Sequence, residues 1–533
     1  MRNWLSMRDS SAHAAPDAVY NWRVYALALS ASMGSAMFGY DSAFIGGSIT
    51  LPAFKREFGL DDSTGDALAA LQANIVSTFQ AGCFFGAIIV YYLTERFGRK
   101  IPLILAGLVF DLGVILEMAS KGSLGMIYGG RVLTGLAVGS SSLIVPQYIS
   151  ESSPPAIRGR LVGLFEVVLQ FALVIGFWVN YGVNQNIPST SSAQWQIPFG
   201  LQFIFGTLLI LLMLLQPESP RWLMKAGRED EALRVLSHIR NMPADDEYIQ
   251  WEVDTIKEQL QREDEQGANR SLVRKLAETF KAGNRNRLFM GMALMMLQNF
   301  SGINALNYFS PEIFESIGFS GTSVSLLATG VFGLVKCFAT LAFMLFGIDR
   351  LGRRNSTLIG SCGAIVAMFY LGTFAKVTGS FHSTAPKSAA SYVAIVMVYI
   401  YSVFYAMSWN GIPWIFCSEV FPTAIRSVCL VFTTCTQWLG QFIIVYSSPY
   451  MFKNITYGTF FLFGTSVVIG VVVVLLFMPE TKGLSLEEMD ILFNVSGLAH
   501  QQRKRARKII NEIREAENIA SGEKQATGHI EEA

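Results

Sequence analysis

The chain has 533 residues, of which 51% are hydrophobic and only 15% charged, and its mean hydropathy is +0.39. Soluble domains carry about 25% charged residues on average, so composition excludes the several soluble domains that the length alone would allow. A net charge of +1 supplies no electrostatic footprint for a nucleic-acid partner.

A bilayer core about 30 Å thick is crossed by roughly 20 apolar residues in a helix. Twelve such segments are read in chain order: 24–48, 69–93, 101–119, 125–149, 160–183, 198–216, 286–314, 322–348, 355–376, 390–418, 427–450 and 458–478. The residues before them, through Arg23, are polar and lack a charged-then-apolar leader pattern, so the first apolar segment is expected to act as the insertion signal. The expected class is an all-α membrane protein of twelve helices in two halves of six, at 24–216 and 286–478. Flanking them are an N-terminal stretch at 1–23, a polar linker at 217–285 and a polar tail at 479–533. Apolar Leu233, Leu236 and Ile239 recur at helical spacing in the linker, which predicts short amphipathic helices.

Short basic loops set the expected orientation. Arg96, Arg99 and Lys100 follow the second segment, Arg158 and Arg160 the fourth, Arg350, Arg353 and Arg354 the eighth, and Arg426 the tenth. The alternate connections, 184–197 and 377–389, carry almost no basic residues. Both termini are therefore expected on the cytoplasmic side of a multi-pass protein in the plasma membrane. The QQRKRARK run at 501–508 reads as a solvated face that could also meet anionic lipid.

The two halves repeat one another. ERFGRK at 95–100 answers DRLGRR at 349–354, SESSPPAIRGR at 150–160 answers SEVFPTAIRS at 418–427, and PESPR at 217–221 answers PETKG at 479–483. Parallel halves related about the membrane normal describe an alternating-access machine with its ligand held near the midplane.

Several polar residues fall inside apolar segments, where an ionisable group is a functional candidate by default. Asp41 lies in the first, and Arg131 in the fourth is its natural counter-ion. Burial favours the neutral acid, while a nearby guanidinium favours the carboxylate; a structural ion pair is the competing reading. Asp111 and Glu117 lie in the third segment, Glu117 expected near the outer interface and Asp111 without an obvious partner. Lys336 in the eighth is a candidate cation, or a side chain that snorkels or pairs structurally. All five histidines fall outside the segments, which argues against a histidine relay. The six cysteines form no CxxC or Cys/His pattern and read as packing residues; no metal or cofactor motif is present, and no nucleotide loop or nucleophile motif points to an enzyme.

With these motifs, residues 22–490 resemble the sugar porter family of the major facilitator superfamily. VYNWRVY at 19–25 and GYDSAFIGG at 39–47 look closest to the fungal quinate permeases and their monosaccharide-transporting relatives. The resemblance implies proton-coupled uptake of a monosaccharide or sugar-like polyhydroxylated ring, the proton being the coupling ion and Asp41 with Arg131 its carriers. The small-molecule substrate would be a sugar, a polyol or quinate. The alternatives are a quinate:proton permease, a proton-independent facilitator and a nutrient sensor. It also implies a ring-binding set of Gln298, Asn299, Asn304, Asn307, Tyr308, Trp414, Gln437 and Trp438. Glu166 stands where the family usually has a glutamine, and Gln170 lies one turn further on. Buried amides donate and accept, as ring hydroxyls do; helix–helix hydrogen bonding is the competing reading. Finally, the resemblance implies a charge clasp that joins the halves on the inner side when the carrier faces outward, from Glu95, Arg99, Glu151, Arg158 and Glu218 in the first and Asp349, Arg353, Glu419, Arg426 and Glu480 in the second. Asn454 heads a glycosylation sequon close to the membrane, and Gly39, Gly46, Gly47, Gly302, Pro311, Gly411 and Pro413 mark either bends or close helix packing.

Overall fold

The computed structural model describes residues 16–510 and residue 512, apart from 62, 64, 266–270, 282, 320, 382–387, 423, 483–488, 490, 494 and 496. Among the described residues every regular element is helical. The first half consists of α1 (Trp22–Ser48), α2 (Gly65–Phe97), α3 (Lys100–Met118), α4 (Leu124–Ser152), α5 (Arg158–Asn186) and α6 (Ala193–Leu215). The second comprises α7 (Asn284–Phe300), α8 (Ile303–Ser316), α9 (Thr322–Ala342, prolonged by a π turn over Phe343–Gly347), α10 (Arg353–Thr378), α11 (Ala389–Met407), α12 (Ile412–Val420), α13 (Arg426–Asn454) and α14 (Gly458–Phe477).

Ten spans among the described residues are long and apolar enough to cross a bilayer. The two other expected crossings have physical reasons to fall outside that set. In α1, serines, glycines and Asp41 dilute the apolar content. The predicted seventh crossing is broken into α7 and α8, of 17 and 14 residues, where Gly302 takes a φ of +94°. A second break divides the tenth crossing into α11 and α12 around Asn410 and Gly411, with Pro413 inside the first turn of α12. Gly39 and Gly46 serve contact instead. A Cβ on either would fall about 2 Å from a carbonyl oxygen, of Leu169 and Tyr308 respectively.

Exposure follows a membrane pattern. On α3, Ile101, Leu105, Leu108, Leu112 and Ile115 are each 43–55% exposed and recur at the three-and-four spacing of one helical face. A contiguous apolar stripe of that kind suits lipid contact.

The linker forms helices at Pro220–Lys225, Glu229–Arg240, Glu247–Glu265 and Leu272–Thr279. Leu223, Leu236, Ile249 and Val253 bury a small core of their own. Arg240 pairs with Glu252 at 2.5 Å and donates to the carbonyl of Ser152 at the end of α4, which docks the linker on the first half. His238 lies in this region and His500 in a helix at 499–510; His13, His382 and His529 lie outside the described residues. Asn454 is exposed, and of the six cysteines, all unbridged, Cys362 alone is exposed.

The repeated motifs build the same charge cluster twice. In the first half Arg99 pairs with Glu151 at 2.8 Å, Ser219 Oγ donates to Glu151 at 2.5 Å, and Glu218 accepts the N–H of Arg99 at 2.8 Å. In the second, Arg353 pairs with Glu419 at 2.6 Å, Thr481 Oγ1 donates to Glu419 at 2.9 Å, and Glu480 accepts the N–H of Arg353 at 2.9 Å. The intervening glycine explains the GR pattern. Gly98 and Gly352 have φ of +87° and +85°, and a Cβ there would land 2.3 Å from Glu218 Oε2 or 2.6 Å from Glu480 Oε2. The acidic neighbours hold the Arg99 guanidinium above its ordinary value despite burial, whereas burial pushes the Glu218 carboxyl up.

In this conformation the Arg99 and Arg353 ion pairs close within their own halves, while the face opposite the linker is the closed one; the clasp across the halves is expected of the outward-facing form. Glu95 pairs with Lys225 of the linker at 2.6 Å, Arg426 donates to the carbonyl of Phe421, and Arg158 is exposed at the start of α5. The side chain of Asp349 lies outside the described residues. The halves meet by polar contacts on the face opposite the linker. There Gln72 bonds Glu312, Asn184 donates to Ser323 at 2.8 Å, and Lys453 pairs with Asp66.

Gly98→Ala is expected to destabilise the purified protein by about 1–3 kcal/mol through overpacking and backbone strain. Gly182→Ala, where a Cβ meets nothing within 4 Å, is expected to leave it unchanged. Thermal unfolding in detergent compares the two, and equal effects would refute the packing account.

Candidate functional site

Asp41 lies toward the end of α1 and Arg131 toward the start of α4, and both side chains are 0% exposed. Arg131 Nη1 reaches both carboxylate oxygens at 2.8 Å, Nε donates to the carbonyl of Ile75 at 3.3 Å, and the guanidinium lies 4.8 Å over the ring of Phe79. The expected pairing is present. Nη2 has no hydrogen-bond partner, and the nearest further acid acting on this guanidinium is Glu117.

Glu117 lies at the end of α3 opposite the basic loop, as expected, but it is enclosed by protein. It is 0% exposed, and Gln202 of α6 donates to its Oε2 at 2.8 Å. Asp111 has a partner the sequence did not suggest, Thr207, whose hydroxyl donates at 3.0 Å.

The amides gather at the breaks in the second half. Asn299 and Gln298 end α7, and Asn304, Asn307 and Tyr308 lie on the first turns of α8, so the kink at Gly302 turns both ends inward. Asn299 Nδ2 donates to Gln437 Oε1 at 2.8 Å, and Asn304 Nδ2 donates to Asn299 Oδ1 at 2.6 Å. Gln298 Nε2 donates to the carbonyl of Asn410 at 3.0 Å and to the Tyr405 hydroxyl at 3.4 Å. Gln298 Oε1 and Gln170 Oε1 are buried without a partner. Such orphaned acceptors are what a hydroxylated ligand can satisfy.

The first half closes this cluster through α5. Glu166 Oε1 accepts from Asn410 Nδ2 at 2.6 Å and from Gln170 Nε2 at 2.8 Å. The break between α11 and α12 therefore reaches across to the other half. Lys336 of α9 is 3% exposed and donates to Asn307 Oδ1 at 3.3 Å.

Tyr308 links the two groups of residues. Its hydroxyl donates to Ser42 Oγ at 3.2 Å, one residue from Asp41, and accepts from Gln441 Nε2 at 3.1 Å.

The two tryptophans separate. Trp414 is half-buried on α12, one turn past Asn410. Trp438 does not join the amides: it is 0% exposed and packs edge-on to Phe38 and Phe79 of the first half, at centroid distances of 5.0 and 6.3 Å. The sequence reading missed Asn410, Tyr405, Gln441 and Ser42. Asn410 had a signal, a lone amide within WNGIPW; the others differ in no local way from packing residues.

A family model described as sugar (and other) transporter matches residues 27–493. The chain belongs to this transporter family. The match spans both halves and the linker, as the resemblance in the motifs had implied. A probable quinate permease of Neosartorya fischeri is 43% identical over 486 residues, which are 90% of this chain and 89% of that one. The quinate permease of Emericella nidulans is 41% identical over 522 residues, 96% of each chain. Among solved structures, the major facilitator proton:xylose symporter XylE bound to 6-bromo-6-deoxy-D-glucose superposes with a TM-score of 0.74 at 28% identity, over 88% of this chain and 99% of that one. The partially occluded inward-open form of XylE from E. coli gives 0.72 at 27% identity, over 87% and 100%. The fold is that of the major facilitator superfamily, in a membrane transporter.

Asp41→Asn alone is expected to lower stability by about 3–5 kcal/mol, because it leaves a buried guanidinium unpaired. The double variant Asp41→Asn with Arg131→Met is expected to regain most of that loss. Thermal unfolding of the singles and the double checks this, and additive losses would show that the pair is not coupled.

Proposed function

We propose that this transporter is a symporter that takes up a monosaccharide or sugar-like polyhydroxylated ring together with a proton, by alternating access. It uses no cofactor and performs no covalent chemistry. The linker face and both termini are cytoplasmic, and the membrane is the plasma membrane.

The observation that carries this reading is the hydrogen bond from Tyr308 to Ser42, which ties the amide-bearing helix to the helix of Asp41. A ring that hydrogen-bonds Asn304 and Asn307 acts on α8, and α8 acts on α1 through Tyr308. Movement of α1 against α4 alters the contact of Asp41 with Arg131. Where the guanidinium withdraws, a carboxyl in hydrocarbon is favoured neutral and takes a proton. Where the contact re-forms, the carboxylate is favoured and the proton leaves. To open the face opposite the linker, Gln72–Glu312, Asn184–Ser323 and Asp66–Lys453 must part. They are few and polar, and pairs at exposed edges are worth only about 0–1 kcal/mol each.

A second reading, a quinate:proton permease, is favoured by the names of the relatives at 41–43% identity and by a buried cation, Lys336, beside the amides. A proton-independent facilitator is disfavoured by the Asp41–Arg131 contact.

Uptake of labelled glucose, xylose and quinate in a host lacking these activities, from pH 5 to 8, tests the proposal. Uptake is expected to rise toward acid pH and to collapse with a protonophore. In Asp41→Asn, accumulation above equilibrium is expected to vanish. Uptake indifferent to pH, protonophore and Asp41 would leave a facilitator, and no uptake despite surface expression would favour a sensor.

A further inference from the structure

Lys336 lies beside the amide cluster without a direct ion pair among the described residues. It lies midway along α9, 3% exposed, and its single hydrogen bond is to the neutral Asn307 Oδ1 at 3.3 Å. Its ammonium has three donors, and among the described residues no carboxylate lies within ion-pairing distance of it. The ring of Tyr405 lies 5.9 Å away, and the hydroxyl of the same residue receives Gln298. Lys336 therefore stands at one end of the row formed by Gln298, Asn304 and Asn307.

Glu166 stands elsewhere on the same cluster. Its charge acts on Lys336 without a direct ion pair. Its Oε1 is already occupied by Asn410 and Gln170, an arrangement that suits an ionised acceptor. Its second oxygen carries no such pair of donors. A buried cation and a half-buried acid held apart on one cluster of amides define the polarity of the ligand they fit.

We propose that Lys336 is the carboxylate-binding residue of the transport site, so that the substrate class is a hydroxylated ring bearing one carboxylate, and not a neutral sugar. This deepens the symport reading and rests on it for the location of the site. The substrate carboxylate takes the free donors of Lys336 beside Asn307, while ring hydroxyls meet Gln298 Oε1, Asn304 and the second oxygen of Glu166. Glu166 repels the ring's carboxylate and so fixes which end faces Lys336. A neutral sugar offers the ammonium no counter-ion, so it lacks the charge-assisted bonds that a carboxylate gains there. The departure from the family's usual glutamine at position 166 becomes an orienting feature.

The test uses the full-length protein in proteoliposomes, with quinate and its uncharged methyl ester as probes. Lys336→Met and Lys336→Arg are compared with the wild type, and each is first checked for folding by size-exclusion chromatography. Binding of both probes to the detergent-solubilised protein is measured alongside, by calorimetry. The wild type is expected to prefer quinate to the ester. Lys336→Met is expected to lower that preference roughly thirtyfold or more, the loss that follows removal of one partner of a buried charge pair. Lys336→Arg is expected to keep most of it. An unchanged preference in folded Lys336→Met, or a wild type indifferent to the carboxylate, would overturn the proposal. Proton-coupled uptake of uncharged rings alone would overturn it while leaving the symport reading intact. Carboxylate-selective binding that depends on Lys336, without uptake, would uphold the assignment and overturn the symport reading instead.

Discussion

Hydrocarbon offers no partner to a charge, and the contact between Asp41 and Arg131 is the answer to that constraint on which the first half is organised. Arg131 meets the carboxylate from α1, the Ile75 carbonyl and the Phe79 ring from α2, and it feels Glu117 of α3. Glu117 in turn receives Gln202 from α6. Five of the six helices of this half thus converge on one guanidinium. Breaking a buried pair by removing one member is far more damaging than replacing both, so these helices are committed to one packing for as long as the contact stands. A contact that is both buried and able to gain a proton is then a place where packing and protonation are the same variable.

The repeated charge clusters have a different role. Each pins the short turn between the second and third helices of its half to the residue pair that follows the sixth, through Glu218 or Glu480. Because both close within a half, each half holds its own linker-face architecture in this conformation. Freedom is left to the bonds across the opposite face and to the packing of Trp438 against Phe38 and Phe79. Apolar edge contacts of that kind can slide, whereas a buried ion pair cannot. The division suits rigid halves that rock about a central ligand.

The same division explains what could be read from the chain. The crossings were legible because twenty apolar residues in a row have one explanation, and the halves because GR-containing turns with acidic partners recur. Asp41 and Arg131 were legible as a pair, since each needs the other in hydrocarbon. The partners of the clasp charges in this conformation were not legible: a charge list does not say whether a glutamate reaches its own half or the other, and that depends on how the halves are tilted. Glu117 lies near the end of α3, as read from the chain, and only the approach of Gln202 shows that it is enclosed by protein. Trp438 follows Gln437 directly, so the two point to different sides of α13; one meets Asn299 and the other the first half.

The two halves, alike in their charged turns, differ at their centres, and the difference has a logic. The first half holds Asp41, Arg131 and Glu117 on helices unbroken at those residues, close-packed around one guanidinium. The second half interrupts two crossings, at Gly302 and around Gly411, and unwound backbone at membrane depth is tolerated only where it lines a cavity or is buried in protein. Those interruptions bring Gln298, Asn304 and Asn410 to one place, on elements that can bend. Tyr308 belongs to the broken half and Ser42 to the continuous one. On the proposed reading, the hydrogen bond from Tyr308 to Ser42 joins a ligand-binding helix next to a break to an unbroken proton-holding helix: α8 can yield locally, but α1 can answer only by moving as a whole against α4. On that reading, coupling of ligand to proton follows from where the helices are broken as much as from which residues are charged.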